Sequence, residues 1–280
     1  MDNGLFRECR VETVDRKPAG RRLFFRALDT QLKVIGALIF RELQSRFGRS
    51  NIGYLWLIGE PLMLASVISS LHVVSFLGGS ENGMEPFPFT LIGYCVYIIF
   101  RNNFNRSDHV LENSVSLLYH NMIKPIDIVI SKWIVDVVGG VSALSILLIV
   151  GVALGLADYP ARPLYLFLAC GLMSWLTLGM SMIVAAYTYD SHLLSRFVHP
   201  FSYFMLPLSG SFYTMEFLPK WARDYMEWNP MVVIFELARY GQFRNASDKY
   251  FYYGFLFATC AFFTYWGLLA LRRVRARIHV

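Results

Sequence analysis

The sequence predicts an all-α, polytopic membrane protein of about six transmembrane helices, on three observations. Of its 280 residues, 55% are hydrophobic and only 16% charged, with a mean hydropathy of +0.43, whereas a soluble domain has about a quarter of its residues charged. The apolar residues gather into runs of the roughly 20 residues that a bilayer core requires. The basic residues behind the net charge of +6 concentrate at both ends and in short connections. That distribution marks topology determinants, not a nucleic-acid-binding face. With both ends cytoplasmic, the number of crossings is even.

The first residues are charged, so no cleavable signal is expected. The tail, 1–27, carries Arg7, Arg10, Arg16, Lys17, Arg21, Arg22 and Arg26, which hold it in the cytoplasm. Over 28–49, Leu32, Ile35, Leu38, Ile39 and Leu43 recur at helical spacing opposite Lys33, Arg41, Glu42 and Gln44, predicting an amphipathic helix in the cytoplasmic interface. The transmembrane domain, 50–280, then begins abruptly. Ser50 or Asn51 caps a first span over about 52–77, Tyr54 and Trp56 occupy its aromatic belt, and Arg46 and Arg49 lie by the positive end of the new helix. That junction suits an anionic head group. Gly78-Gly79 end the span, and an acidic loop with Glu81 and Glu85 faces outwards.

A second span, about 87–106, returns inward and ends in a polar patch holding Arg101 and Arg106. Residues 107–132 read as a cytoplasmic loop with one short helix, faced by Leu111, Val115, Leu118 and Tyr119 and interrupted at Lys124-Pro125. The third span, about 134–156, repeats Gly139, Ala143, Leu147, Gly151 and Gly155, a face on which another helix packs closely. Asp136 is expected to pair with Lys132, four residues before it. The fourth span covers about 164–187, and a cytoplasmic loop with Asp190, His192, Arg196 and His199 follows. A fifth runs over about 201–217, broken by Pro207 and Gly210. Residues 218–240, with an amphipathic stretch from Met231 to Tyr240, are read as outer re-entrant or interfacial helix, and the last span covers about 250–271 before the basic terminus. Cys9, Cys95, Cys170 and Cys260 lack metal-ligand spacing and read as packing thiols.

Nucleotide-binding and metalloprotease motifs are absent: there is no GxxxxGK[ST], no GxGxxG after a strand and no HExxH. If ATP drives this chain, another polypeptide hydrolyses it. No acid falls near the midplane of a span, which counts against a proton-coupled pump. A membrane-embedded glycosyltransferase or ligase is the alternative from another class, resting on Glu216, Asp224 and Glu227; Lys220 and Arg223 balance them, as on an ordinary solvated surface.

Arg41-Glu42-Leu43, then Arg46-Phe47-Gly48-Arg49-Ser50-Asn51-Ile52-Gly53-Tyr54-Leu55-Trp56 followed by Glu60-Pro61, resembles the membrane subunit of bacterial ABC exporters for capsular polysaccharide, with O-antigen and teichoic-acid exporters as wider relatives. Trp228-Asn229-Pro230 with Glu236, Arg239 and Gly241 resembles that family's outer re-entrant region. The resemblance implies an inner-membrane homodimer with two copies of a cytoplasmic ATPase, which binds ATP and Mg; this chain itself holds no cofactor. It implies export of a polysaccharide on an anionic glycolipid, with a periplasmic co-polymerase and an outer-membrane channel as further partners. Arg46, Arg49, Ser50, Tyr54, Trp56, Arg101 and Arg106 are then candidates for the lipid linker, although positive-inside anchoring accounts equally well for any single arginine. Arg41, Glu42, Tyr119, His120 and Lys124 are candidates for coupling to the ATPase, and Tyr213, Trp221 and Trp228 for an outer gate.

Overall fold

The computed structural model describes residues 20–47, 59, 63, 66, 67, 85–118 and 123–278, apart from the side chains of 20–23, 46, 47 and 278. The predicted first span, about 52–77, lies outside these residues save for isolated positions. Among the described residues there are nine α-helices and no strand.

α1, Gly20–Phe47, includes the basic run at 21–26 and so begins before the predicted 28. It packs on the fourth helix through Leu38, which is buried, and Ile35, Ile39 and Leu43, which are half-buried. α2, Pro86–Arg106, starts on prolines, whose missing N–H groups are tolerated in a first turn. Every residue from Leu91 to Phe100 is buried, because the fourth, fifth, sixth and eighth helices surround α2. The turn after it leads through a 3₁₀ segment, Glu112–Ser114, into the short α3, Val115–Leu118, with Leu111 and Leu118 buried as the periodicity required.

α4, Pro125–Ala153, starts well before the predicted 134. Asp127 and Ser131 look like loop residues in the sequence, yet both are buried and hydrogen-bonded, as is Asp136 further along the helix. Lys124-Pro125 is the helix start, with the Asp127 carboxylate accepting from the Lys124 amide at 3.0 Å. The other end also differs. Gly155 does not extend the small-residue face; at φ 68° it ends the helix, with the Leu156 amide donating to Gly151 O (2.8 Å) and the Gly155 amide to Val152 O (3.1 Å).

α5, Pro163–Asp190, crosses the last helix, α9, Tyr253–Ile278, at two glycines. A Cβ at Gly179 would lie 2.7 Å from the Thr264 backbone nitrogen, and one at Gly267 would lie 2.8 Å from Gly179 O. Only the absence of side chains there permits such close approach. α6, His192–Leu208, corrects the sequence most. The predicted cytoplasmic loop around His192–His199 is helix, separated from α5 by Ser191 alone, and the chain leaves the helix by Gly210 (φ 82°) instead of continuing to 217. Two further helices follow, α7, Lys220–Met226, and α8, Pro230–Gln242. α8 is not amphipathic on a surface: every residue from Met231 to Arg239 is buried.

α4, α5 and α9 are long and apolar enough to cross a membrane. The starts of α4 and α6 and the ends of α2, α5 and α9 gather at one end of the bundle, tied by Gln31 donating to Asp127, Arg106 to Asp136 and Arg277 to Asp190. The α4–α5 turn, α7, α8 and the start of α9 form the opposite end.

Candidate functional site

At the basic end, the inner arginines of α2 are engaged within the chain. Arg101 donates to the Tyr203 hydroxyl at 2.8 Å, and its guanidinium lies 4.5 Å from that ring's centre. Arg106 meets Asp136 Oδ1 at 2.6 Å, so the buried carboxylate expected to pair with Lys132 receives a charge from another helix. A charge buried this way needs a partner, and Arg106 therefore orders the bundle whatever else it binds. Arg101, held only at an exposed ring, keeps more freedom to meet an anion. The Arg46 side chain, Arg49, Ser50, Tyr54 and Trp56 lie outside the described residues.

Of the residues proposed for coupling, Arg41 is exposed and Glu42 half-buried on α1, and Lys124 sits at the start of α4; Tyr119 and His120 lie outside the described residues. Asp127, three residues on, joins these elements. One carboxylate oxygen caps α4 and the other accepts from Gln31 Nε2 of α1, so the interface helix and a membrane-spanning helix share one group. Pro followed by an acid at the third helical position is the local signal for this cap, although Lys124-Pro125 reads in the sequence as an interruption. Nothing local marks Gln31.

At the opposite end, the three gate candidates are not brought together. Trp221 and Trp228 are 70% and 77% exposed, Trp228 against Phe255 edge-on at 6.3 Å, while Tyr213 is half-buried with its hydroxyl 3.7 Å from Met226 Sδ. What organises this end is the ion pair Glu236–Arg239, one turn apart on α8 and 3.2 Å from each other. Arg239 donates to Gly210 O (2.6 Å), Ser211 O (3.0 Å) and Tyr213 O (2.5 Å), with its guanidinium over the Phe89 ring, and Glu236 accepts from the Met215 amide at 2.9 Å. Three carbonyls and one amide of the irregular stretch 209–217 are thus satisfied by side chains of α8. Non-helical backbone at membrane depth requires that.

A family model described as ABC-2 type transporter matches residues 33–243. The chain belongs to the ABC-2 type transporter family. The stretch 33–243 runs from α1 to the first residue after α8, so both ends of the ABC-2 bundle fall within it. Capsule polysaccharide export inner-membrane protein CtrC of Neisseria meningitidis serogroup B is 30% identical over 221 residues, covering 79% of this ABC-2 chain and 83% of that protein. Capsule polysaccharide export inner-membrane protein BexB of Haemophilus influenzae is 30% identical over 234 residues, 83% and 88% of the two chains. Polysialic acid transport protein KpsM of Escherichia coli is 28% identical over 219 residues, 75% and 81%.

Proposed function

We propose that this chain is the membrane subunit of an ATP-driven exporter that carries lipid-linked capsular polysaccharide across the bacterial inner membrane. The observation that carries the reading is the likeness to capsule-export inner-membrane proteins over about four fifths of the chain. Two copies would form the path, two copies of a separate ATPase would drive it, and a periplasmic co-polymerase and outer-membrane channel would receive the product. Positive-inside asymmetry puts the basic end of the bundle, with both termini, in the cytoplasm.

The chemistry at the two ends supports a division of labour. The basic end offers Arg101 to an anionic linker, for which the sequence also nominates Arg46 and Arg49, and it carries α1 tied through Gln31 and Asp127 to α4. Force on α1 or on the 107–124 segment would therefore reach a membrane-spanning helix directly. The opposite end is held by the Glu236–Arg239 network, which would set the shape of the exit. Co-expressing the chain with and without its partner ATPase, and assaying surface polysaccharide, tests the reading: export is expected only with both.

A further inference from the structure

We infer that His109, Glu112 and His192 form a binding site for a zinc-like divalent ion that clamps the turn after α2 to the first residue of α6. Each offers one ligand atom, and all of these atoms lie within 4.8 Å of one another. His109 Nδ1 is 2.7 Å from Glu112 Oε2, and His192 Nδ1 is 3.9 Å from Glu112 Oε1. Two imidazoles and one carboxylate with a position left open suit zinc and its neighbours, not the all-oxygen shells of magnesium or calcium. A tetrahedral ion at about 2.1 Å holds its ligand atoms roughly 3.4 Å apart. The needed adjustments are therefore small, and His192, 83% exposed in its side chain, is free to make them.

The hydrogen-bond directions on the far side of His109 carry the inference further. Ser195 has one hydroxyl proton, and it goes to Asp108 Oδ2 at 2.8 Å. The 2.6 Å contact between Ser195 Oγ and His109 Nε2 therefore requires that Nε2 be the donor. In a neutral ring this leaves Nδ1 as a bare lone pair facing a carboxylate oxygen at 2.7 Å, a repulsive contact that either a second ring proton or, with the two atoms moved slightly apart, a bound metal ion relieves. Asp108 is nine-tenths buried, and its Oδ1 has no hydrogen-bond partner while lying 3.6 Å from His109 Nε2. A carboxylate behind the ring nitrogen opposite the ion is the outer-shell arrangement that orients metal-ligating histidines. The backbone of His109 supports the placement too, since it adopts φ 50°, uncommon for a residue with a side chain.

An ion here would join two segments that otherwise meet through few groups, at the basic end beside the proposed coupling surface. It would stiffen the turn that follows α2, and so act on coupling and not on the transport path.

The test uses the full-length, untagged protein in detergent, stripped with a chelator and titrated with zinc chloride against a chromophoric competitor. Roughly one zinc per chain is expected, undisturbed by excess magnesium. His192→Ala and Glu112→Gln should weaken binding by more than about 100-fold and Ser195→Ala, which touches His109 and Asp108 but offers no ligand atom, by about 10–100-fold. Because His192 is exposed, the metal-free His192→Ala protein should melt at the wild-type temperature. Absence of stoichiometric zinc, which a simple proton-bridged His109–Glu112 pair predicts, would overturn the proposal, as would unaltered zinc affinity in His192→Ala.

Discussion

Arg239 illustrates how much a single buried side chain carries in this protein. Its guanidinium meets three carbonyls and Glu236 at once, and one nitrogen, Nε, is still left without a hydrogen-bond partner. Arg239→Met removes the charge but strands Glu236, and breaking a buried pair this way costs about 3–5 kcal/mol. Arg239→Lys keeps the charge without the planar fork, so it should be only partly rescuing. Thermal unfolding of the detergent-solubilised variants would show both effects, and a Lys variant as stable as wild type would contradict the role given to the fork. For Arg46 and Arg49 the expectation concerns transport. Replacing both with Glu should reduce export while the amount of membrane-inserted protein stays near wild type. Immunoblots of membranes beside a surface-polysaccharide assay separate this from simple anchoring. The sequence singles out arginines only by position. At Asp136, Arg106 reaches the carboxylate from another helix, and no local spacing encodes such a partner.

At the scale of elements, helices were legible where periodicity and a terminator coincided. Pro163 opens α5 and Pro230 opens α8, and Asn229 caps the latter with its side chain accepting from the Met231 amide. They were misread where polar residues are buried, as at the start of α4, or where an apolar stripe crosses a polar segment. In α6, Leu193, Leu194, Phe197, Phe201 and Phe204 recur on one helical face, all exposed within the single chain, and the intervening histidines and Arg196 disguised the first three as loop. The buried small-residue crossings predict sharp sensitivity. A Cβ on Gly93 would lie 2.0 Å from Ser211 O, a backbone atom held in place by Arg239, so Gly93→Ala should cost at least about 1–3 kcal/mol by overpacking. Gly171→Ala, where no atom approaches within 4 Å, is the matched control and should be nearly neutral in the same melting assay. Asp127→Asn should cost about 1 kcal/mol through the weakened cap. It should also loosen α1, read as faster amide exchange over 24–45 than in wild type; unchanged exchange there would mean that Gln31 and Asp127 do not hold the interface helix.

The whole molecule has two chemically distinct ends, and the account of function rests on that polarity. Basic residues at the two termini carry the orientation expected from the sequence, whereas the network at the other end depends on contacts between α8 and residues some 25 positions earlier, so that Glu236 and Arg239 could be singled out by resemblance but their backbone partners could not. If the basic end is cytoplasmic, a cysteine placed at 120 should be inaccessible to a membrane-impermeant label added from outside, and one placed at 221 should react. The most direct measurement is transport itself: the chain reconstituted in vesicles with its partner ATPase and a lipid-linked capsular polysaccharide, compared with the chain alone and with a hydrolysis-dead ATPase. ATP-dependent appearance of polysaccharide on the far side of the bilayer, lost in both controls, is the predicted result. Transport that persists without ATP hydrolysis, or glycan transfer catalysed by the chain alone, would contradict it.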